Sequence, residues 1–211
     1  MRVLIVYAHP EPVSLNTMLR DATVDMLKKQ GHEVMVSDLY AMKFDPIFKK
    51  EDFLSRKDPK VFRPYPEALN ACATKTFSPD IAAEMDKINR ADLIIFQFPI
   101  WFSSMPAILK GWVDRAFQAG YAFTFTQMYA GGLLHGKKGM VIATAGSPEV
   151  VYSKGGPHGD IHELLLPFTH ATGEFVGLEM LPSFLVLGCA GLTKEQVTVE
   201  IERLKKHLKS V

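Results

Sequence analysis

The densest group of side chains able to do acid–base chemistry lies in residues 150–168, VVYSKGGPHGDIHELLLPF. Within a few positions this stretch carries the phenol of Tyr152, the imidazoles of His158 and His162, and the carboxyl of Asp160. An imidazole with an ordinary pKa of about 6.5 can hold or release a proton near neutrality. A phenol can hydrogen-bond to a developing oxyanion. Three uses are open for such a segment: a metal centre, a phosphate loop, or a lid over another cofactor. His158 and His162 are four apart, a spacing that suits two zinc ligands on one helix face. The adjacent glutamate of H-E-x-x-H is missing and Gly159 weakens a helix there, so no metal is expected. GGLLHGKK (131–138) imitates G-x-x-x-x-G-K, but Lys138 stands where Ser or Thr is needed. It also leads into a strand, whereas a phosphate loop leads into a helix. There is no G-x-S-x-G, hence no nucleophile elbow.

These residues need a frame. Five apolar, β-branched segments (3–8, 33–39, 92–98, 139–145 and 184–188) read as strands, four of them in near-continuous apolar runs that suit burial on both faces. Helical patterns lie between them. One begins after Ser14, a plausible N-cap, and stops at Gly31; another runs from Pro79 to Arg90. A third runs from Pro106 through Phe117. A fourth covers about 159–172, where Pro167 should kink or shorten it. The last runs from Thr193 to Lys209, with basic residues in its final turns. The alternation predicts a single α/β domain over 1–211, with a doubly wound parallel sheet and helices on both faces. Residues 40–78, rich in proline and without a clear period, read as a long ordered excursion.

Ligands of open α/β sheets bind beyond the carboxyl ends of the strands. After the first strand comes HPEPVSLN (9–16), where Ser14, Asn16 and the free amides of the next helix could grip a phosphate or Ser14 could simply cap. After the third comes FPIWFSSMP (98–106), whose Trp101 and Phe102 need a planar ligand, a partner surface or the core to stack on. After the fourth comes TAGSP (144–148), small enough for close approach of a ligand. A flavin satisfies all three.

The formal net charge is +1, so no broad basic field for nucleic acid is implied. The same near-neutrality argues against a one-electron carrier that docks through acidic charge. Two cysteines form no disulfide framework, and no apolar run reaches the roughly 18 residues of a membrane span. The expectation is a cytoplasmic protein.

Four segments, DLYAMKFDPI (38–47), SPDIAAEMDKINRADLIIFQFP (78–99), FQFPIWFSSMPAILKGWVDRAF (96–117) and YSKGGPHGD (152–160), together resemble the NAD(P)H:quinone oxidoreductase family. The likeness is to its short form, without an additional C-terminal segment. The resemblance implies a flavodoxin-like fold with a five-stranded sheet in the order 2-1-3-4-5, and a homodimer with sites at the interface. It also implies ping-pong reduction of quinones by NAD(P)H through FAD, with FMN as the alternative. By position, His9, Ser14, Leu15 and Asn16 match the flavin phosphate loop. Pro99, Ile100, Trp101 and Phe102 match the ring-cradling loop, and Thr144, Ala145, Gly146 and Ser147 the loop on the other side of the ring. Tyr152 and His158 match the catalytic pair at the flavin's pyrimidine end. Phe123, Phe125, Met128 and Phe175 are carried over as the substrate pocket, with Phe123 and Phe125 at positions that are often Tyr and cap the partner's site. Their lost hydroxyls imply apolar acceptors. Ser103 and Ser104 depart from a common aromatic and Gly, and Ala145 from a common Thr. Some relatives of this fold act instead as ancillary subunits of potassium efflux transporters, which is the alternative reading.

Overall fold

Strand β1 (Arg2–Tyr7) is buried at every position after its first, as a strand covered on both faces must be. In the computed structural model, which describes residues 1–210, β1 pairs in parallel with β2 (Glu33–Asp38) and with β3 (Leu93–Pro99). Val211, the end of the expected domain, lies outside the described residues. β4 (Lys138–Ala145) continues the sheet beside β3. The fifth position is filled by two short segments, β5 (Glu179–Met180) and β6 (Phe184–Leu187), both parallel to β4. The order is therefore 2-1-3-4-5, as expected, with the last strand broken. Pro182 lies in the break and has no amide to give the ladder.

Helix α1 (Leu15–Lys29) covers one face of the sheet with α6 (Lys194–His207); Leu19, Leu27 and Leu204 pack on Ile5 and Ile95. Ser14 caps α1 by accepting from the Thr17 amide at 3.2 Å. The other face carries α3 (Pro79–Arg90), α4 (Ala107–Ala116) and α5 (Ile161–Phe168) over a core that includes Phe96, Leu109, Trp112 and Leu165. Pro167 sits inside α5 without ending it. The chain runs on as a π-helix, Thr169–Glu174, and the Thr172 hydroxyl donates to the Pro167 carbonyl at 3.0 Å.

The excursion over 40–78 holds a helix that its sequence hid, α2 (Pro64–Thr74). Pro64 and Pro66 lie in its first turn, where an amide has no intrahelical partner to lose. The excursion contributes Phe53, Ala68 and Phe77 to a separate apolar cluster completed by Ile81 and Met85 of α3. It is fastened to α4 by Arg115, which donates to Asp52 at 2.8 and 3.2 Å and to the Asp45 carbonyl at 2.7 Å, and pairs with Asp80 at 2.7 Å. No described helix is long and apolar enough to cross a membrane.

Candidate active site

Three strand-end loops meet at the carboxyl edge of the sheet. The Asn16 side-chain amide donates to Thr144 Oγ1 at 2.7 Å, tying the loop after β1 to that after β4. The Ile100 amide donates to the Thr144 carbonyl at 2.7 Å, tying in the loop after β3. His9 and Trp101 place their rings 6.2 Å apart, closing the remaining side. Beneath this seam lies Gln97, fully buried in β3, whose Nε2 donates to the Asn16 carbonyl at 2.7 Å. A lone polar residue inside LIIFQFP was the available signal, but its partner lies 81 positions away.

Several groups here are arranged for something beyond the chain. Leu15 and Asn16 occupy the first turn of α1, where amides have no acceptor within the helix. The Thr17 amide is taken by Ser14. His9 Nδ1 lies 3.1 Å from the Glu11 amide nitrogen and 3.2 Å from the Glu11 carbonyl oxygen, which holds the ring against this turn. Asn16 Oδ1 and Gln97 Oε1 are buried without a partner. A Cβ built on Gly146 would meet nothing closer than Ala190 at 3.8 Å, so the backbone there is open to close approach. Free amides and an open glycine at one sheet edge fit a phosphate-bearing cofactor, while the two unpaired amide oxygens, acceptors only, suit an N–H or hydroxyl of such a group and not its phosphate.

Trp101 and Ser104 exchange backbone hydrogen bonds at 2.9 and 3.0 Å across a turn whose central residues, Phe102 and Ser103, have φ of 48° and 59°. Two successive left-handed residues make a primed turn, normally the place of Asn or Gly. The turn lifts the Phe102 ring entirely into solvent, at 104% relative exposure. Trp101, Phe102, Ser103 and Ser104 line a cavity of about 550 Å³ that reaches Leu164 and Phe168.

Tyr152 is buried in the large apolar cluster on this side of the sheet, and lines a cleft with Asp160, Ile161 and Leu187. Its ring centroid is 5.3 Å from that of the exposed His158. Among the described residues its hydroxyl has no hydrogen-bond partner. Only glycine fits at 156, where a Cβ would come within 2.5 Å of the Val150 carbonyl; this close turn lets the His158 amide return to the Val151 carbonyl at 3.0 Å. His162 is exposed, and Asp160 caps α5 by accepting from the His162 amide at 2.8 Å.

Phe123 and Phe175 meet at 5.0 Å and line a different cavity, of about 400 Å³. Phe125 is 69% exposed and stacks on Tyr65 with centroids 3.9 Å apart. Met128 is half-buried near this group and lines neither cavity. Within one chain the four expected pocket residues thus stand apart from the cradle. Tyr65, which sequence reasoning passed over, belongs with them.

A family model described as a flavodoxin-like fold matches residues 1–208. The chain is 42% identical to NAD(P)H dehydrogenase (quinone) 1 of Cavia porcellus, over all of this chain and 77% of that protein. It is 39% identical to ribosyldihydronicotinamide dehydrogenase (quinone) of Rattus norvegicus, over all of this chain and 91% of that one. Its backbone superposes on that of a candidate quinone reductase from Klebsiella pneumoniae with a TM-score of 0.95 at 37% identity, covering all of this chain and 84% of the other.

Proposed function

Because the chain belongs to the flavodoxin-like family of NAD(P)H quinone dehydrogenases, we propose that it reduces quinones with NAD(P)H by way of a bound flavin. The observation that carries this reading is the joining of three strand-end loops through Thr144 into one cradle. When bound, a flavin supplies a two-electron relay between nicotinamide and quinone. The chain's residues do the rest. The first turn of α1, with the His9 imidazole, holds phosphate. Pro99 to Phe102 and Thr144 to Ser147 flank the ring. Tyr152 and His158 hold and deliver a proton at the polar end of the ring, where the unpartnered phenol has a hydrogen bond to give.

FAD is the cofactor in this reading, favoured over FMN by the family likeness through the excursion. The working unit is a homodimer. The stacked, exposed Phe125 and the cavity beside Phe123 supply an apolar wall that a second copy can bring over the cradle. With Phe at both positions the wall offers no hydroxyl to quinone oxygens, so apolar acceptors are favoured. Cytoplasmic residence belongs to the same reading and rests on two unpaired thiols, Cys72 and Cys189.

The test is anaerobic stopped-flow at the flavin band, mixing the protein with NADH or NADPH and then with menadione. Rapid bleaching and rapid recolouring without a semiquinone signal are expected. A flavin that neither nucleotide bleaches overturns the reading. Cofactor released by heat should chromatograph as FAD.

A further inference from the structure

The excursion shows its cations to solvent and keeps most of its acids. Residues 40–78 hold eight Lys and Arg against five Asp and Glu, a formal +3, whereas the whole chain carries +1. Asp52 is buried on Arg115, and Glu67, also buried, pairs with Arg56 at 3.2 Å. Asp58 accepts from the amides of Lys60 and Val61 at 2.9 and 3.1 Å, and Asp45 pairs with Lys49. Glu51 is the one exposed acid among the five and lies 3.9 Å from Lys50. Lys57, Lys60 and Arg63 are exposed and make no ion pair among the described residues.

Apolar side chains stand among these cations. Phe48, Phe53 and Phe62 form a triangle of rings whose centroids are 5.7 to 5.9 Å apart. Each is bonded to an exposed aliphatic residue: Ile47 and Leu54 are 65% exposed and Val61 48%. At Phe53 the backbone is extended, with φ of −118° and ψ of 99°, so its ring and the Leu54 side chain leave the chain on opposite sides. The three aliphatics therefore flank one aromatic cluster. The cations flank it too. Lys60 adjoins Val61, Arg63 adjoins Phe62, and Arg56, beside Lys57, lays its guanidinium 5.2 Å over the Phe62 ring. Exposed apolar groups rimmed by polar ones mark an interaction surface. A second copy packed patch on patch would set these cations against their own kind. An anionic surface meets both features.

We propose that this face docks on an anionic phospholipid surface, with Ile47, Leu54 and Val61 entering the interface and Lys57, Lys60 and Arg63 at the level of the phosphates. Docking of this kind is peripheral and needs no spanning helix. It also sets a source of apolar acceptors beside the site. Phe48 belongs to the aromatic triangle and lines the cavity that holds Tyr65, Phe123 and Phe175, the wall that a chain lends to its partner. The acceptor class, which rests on the quinone reductase reading above, is a quinone whose apolar tail keeps it in the bilayer.

The experiment is co-sedimentation of the flavin-loaded protein with vesicles of phosphatidylcholine, alone or mixed equally with phosphatidylglycerol. Binding to the mixed vesicles, lost in high salt and absent with phosphatidylcholine alone, is expected. The joint variant Lys57→Gln, Lys60→Gln and Arg63→Gln should bind the mixed vesicles about a hundredfold more weakly. The joint variant Ile47→Ser, Leu54→Ser and Val61→Ser should bind them about tenfold more weakly. Both should keep the wild-type mass in sedimentation velocity and the wild-type rate with menadione in solution. Reduction of a polyprenyl benzoquinone held in the mixed vesicles should fall with binding, and an unchanged rate overturns the assignment of the acceptor. No binding by wild type, or equal binding by wild type and both variants, overturns the docking. A smaller mass in either variant makes the face a contact between copies and overturns it as well. A protein that binds the mixed vesicles but reduces no quinone overturns the reductase reading and leaves the docking intact.

Discussion

The Gln97 side chain donates to the main-chain oxygen of Asn16 at 2.7 Å, so a residue in the middle of the sheet fixes the first turn of the helix that should carry phosphate. Buried amides cost stability unless paired, and here one half of the Gln97 amide stays unpaired. Its placement is explained by aim: it orients the α1 amides. Gln97→Leu should raise the Kd for flavin by about tenfold, equivalent to about 1.4 kcal/mol, while folding stability changes by only about 1 kcal/mol. Fluorescence titration of apo-protein and denaturant unfolding measure the two quantities. Unchanged affinity would show that the helix start holds its position unaided.

Tyr152 and His158 are expected to act on protons and not on cofactor retention. Tyr152→Phe and His158→Gln should each lower the rate of flavin reduction by about a hundredfold, within the usual range for a positioned acid or base. The flavin content of each variant should match that of wild type. Rapid-mixing absorbance together with cofactor stoichiometry separates this outcome from simple loss of the flavin.

The Phe102–Ser103 turn holds two non-glycine residues in the left-handed region. Such conformations cost on the order of 1 kcal/mol or more each. Ser103→Gly should therefore stabilise the fold by about 1 kcal/mol, less the extra freedom that glycine brings to the unfolded chain. A higher denaturant midpoint is the expected result; a lower one would mean that the Ser103 side chain makes up for its strain.

Asp52 and Arg115 form an ion pair with 0% and 2% side-chain exposure. Removing one member leaves a buried charge with too few partners, which costs about 3–5 kcal/mol. Asp80 and the Asp45 carbonyl remain on Arg115, so Asp52→Ala should fall at the lower end of that range. Calorimetry should show the loss, and limited proteolysis should cut first within 45–78.

Much of this architecture was legible because the strands are apolar runs and the helices carry the right period and caps. Ser14 caps α1, and Pro79 opens α3, as their sequence positions predict. The cradle was legible for a related reason: strand ends in such sheets are where ligands bind, and each of the three loops carries small, polar or aromatic residues. What stayed hidden has physical causes. Prolines in 64–66 mask α2, although a first helical turn tolerates them. β5 is two residues long and leaves no periodic trace. Gln97 draws its importance from a partner on another element, and spacing along the chain carries no record of it. The solvent-facing ring of Phe102 follows from a turn type that Phe–Ser does not suggest.

The Arg115 staple also bears on the order in which the chain can assemble. Its guanidinium lies 63 residues beyond Asp52 and 70 beyond the Asp45 carbonyl that it holds. During synthesis from the N-terminus, β1, α1, β2 and the excursion itself are made long before the Arg115 that fastens the excursion to α4. Closing so large a loop before its contacts form is entropically unfavourable. The excursion therefore docks only after α4 has been made, and the aromatic wall that includes Phe48 and Tyr65 is among the last surfaces of the nascent protein to take shape.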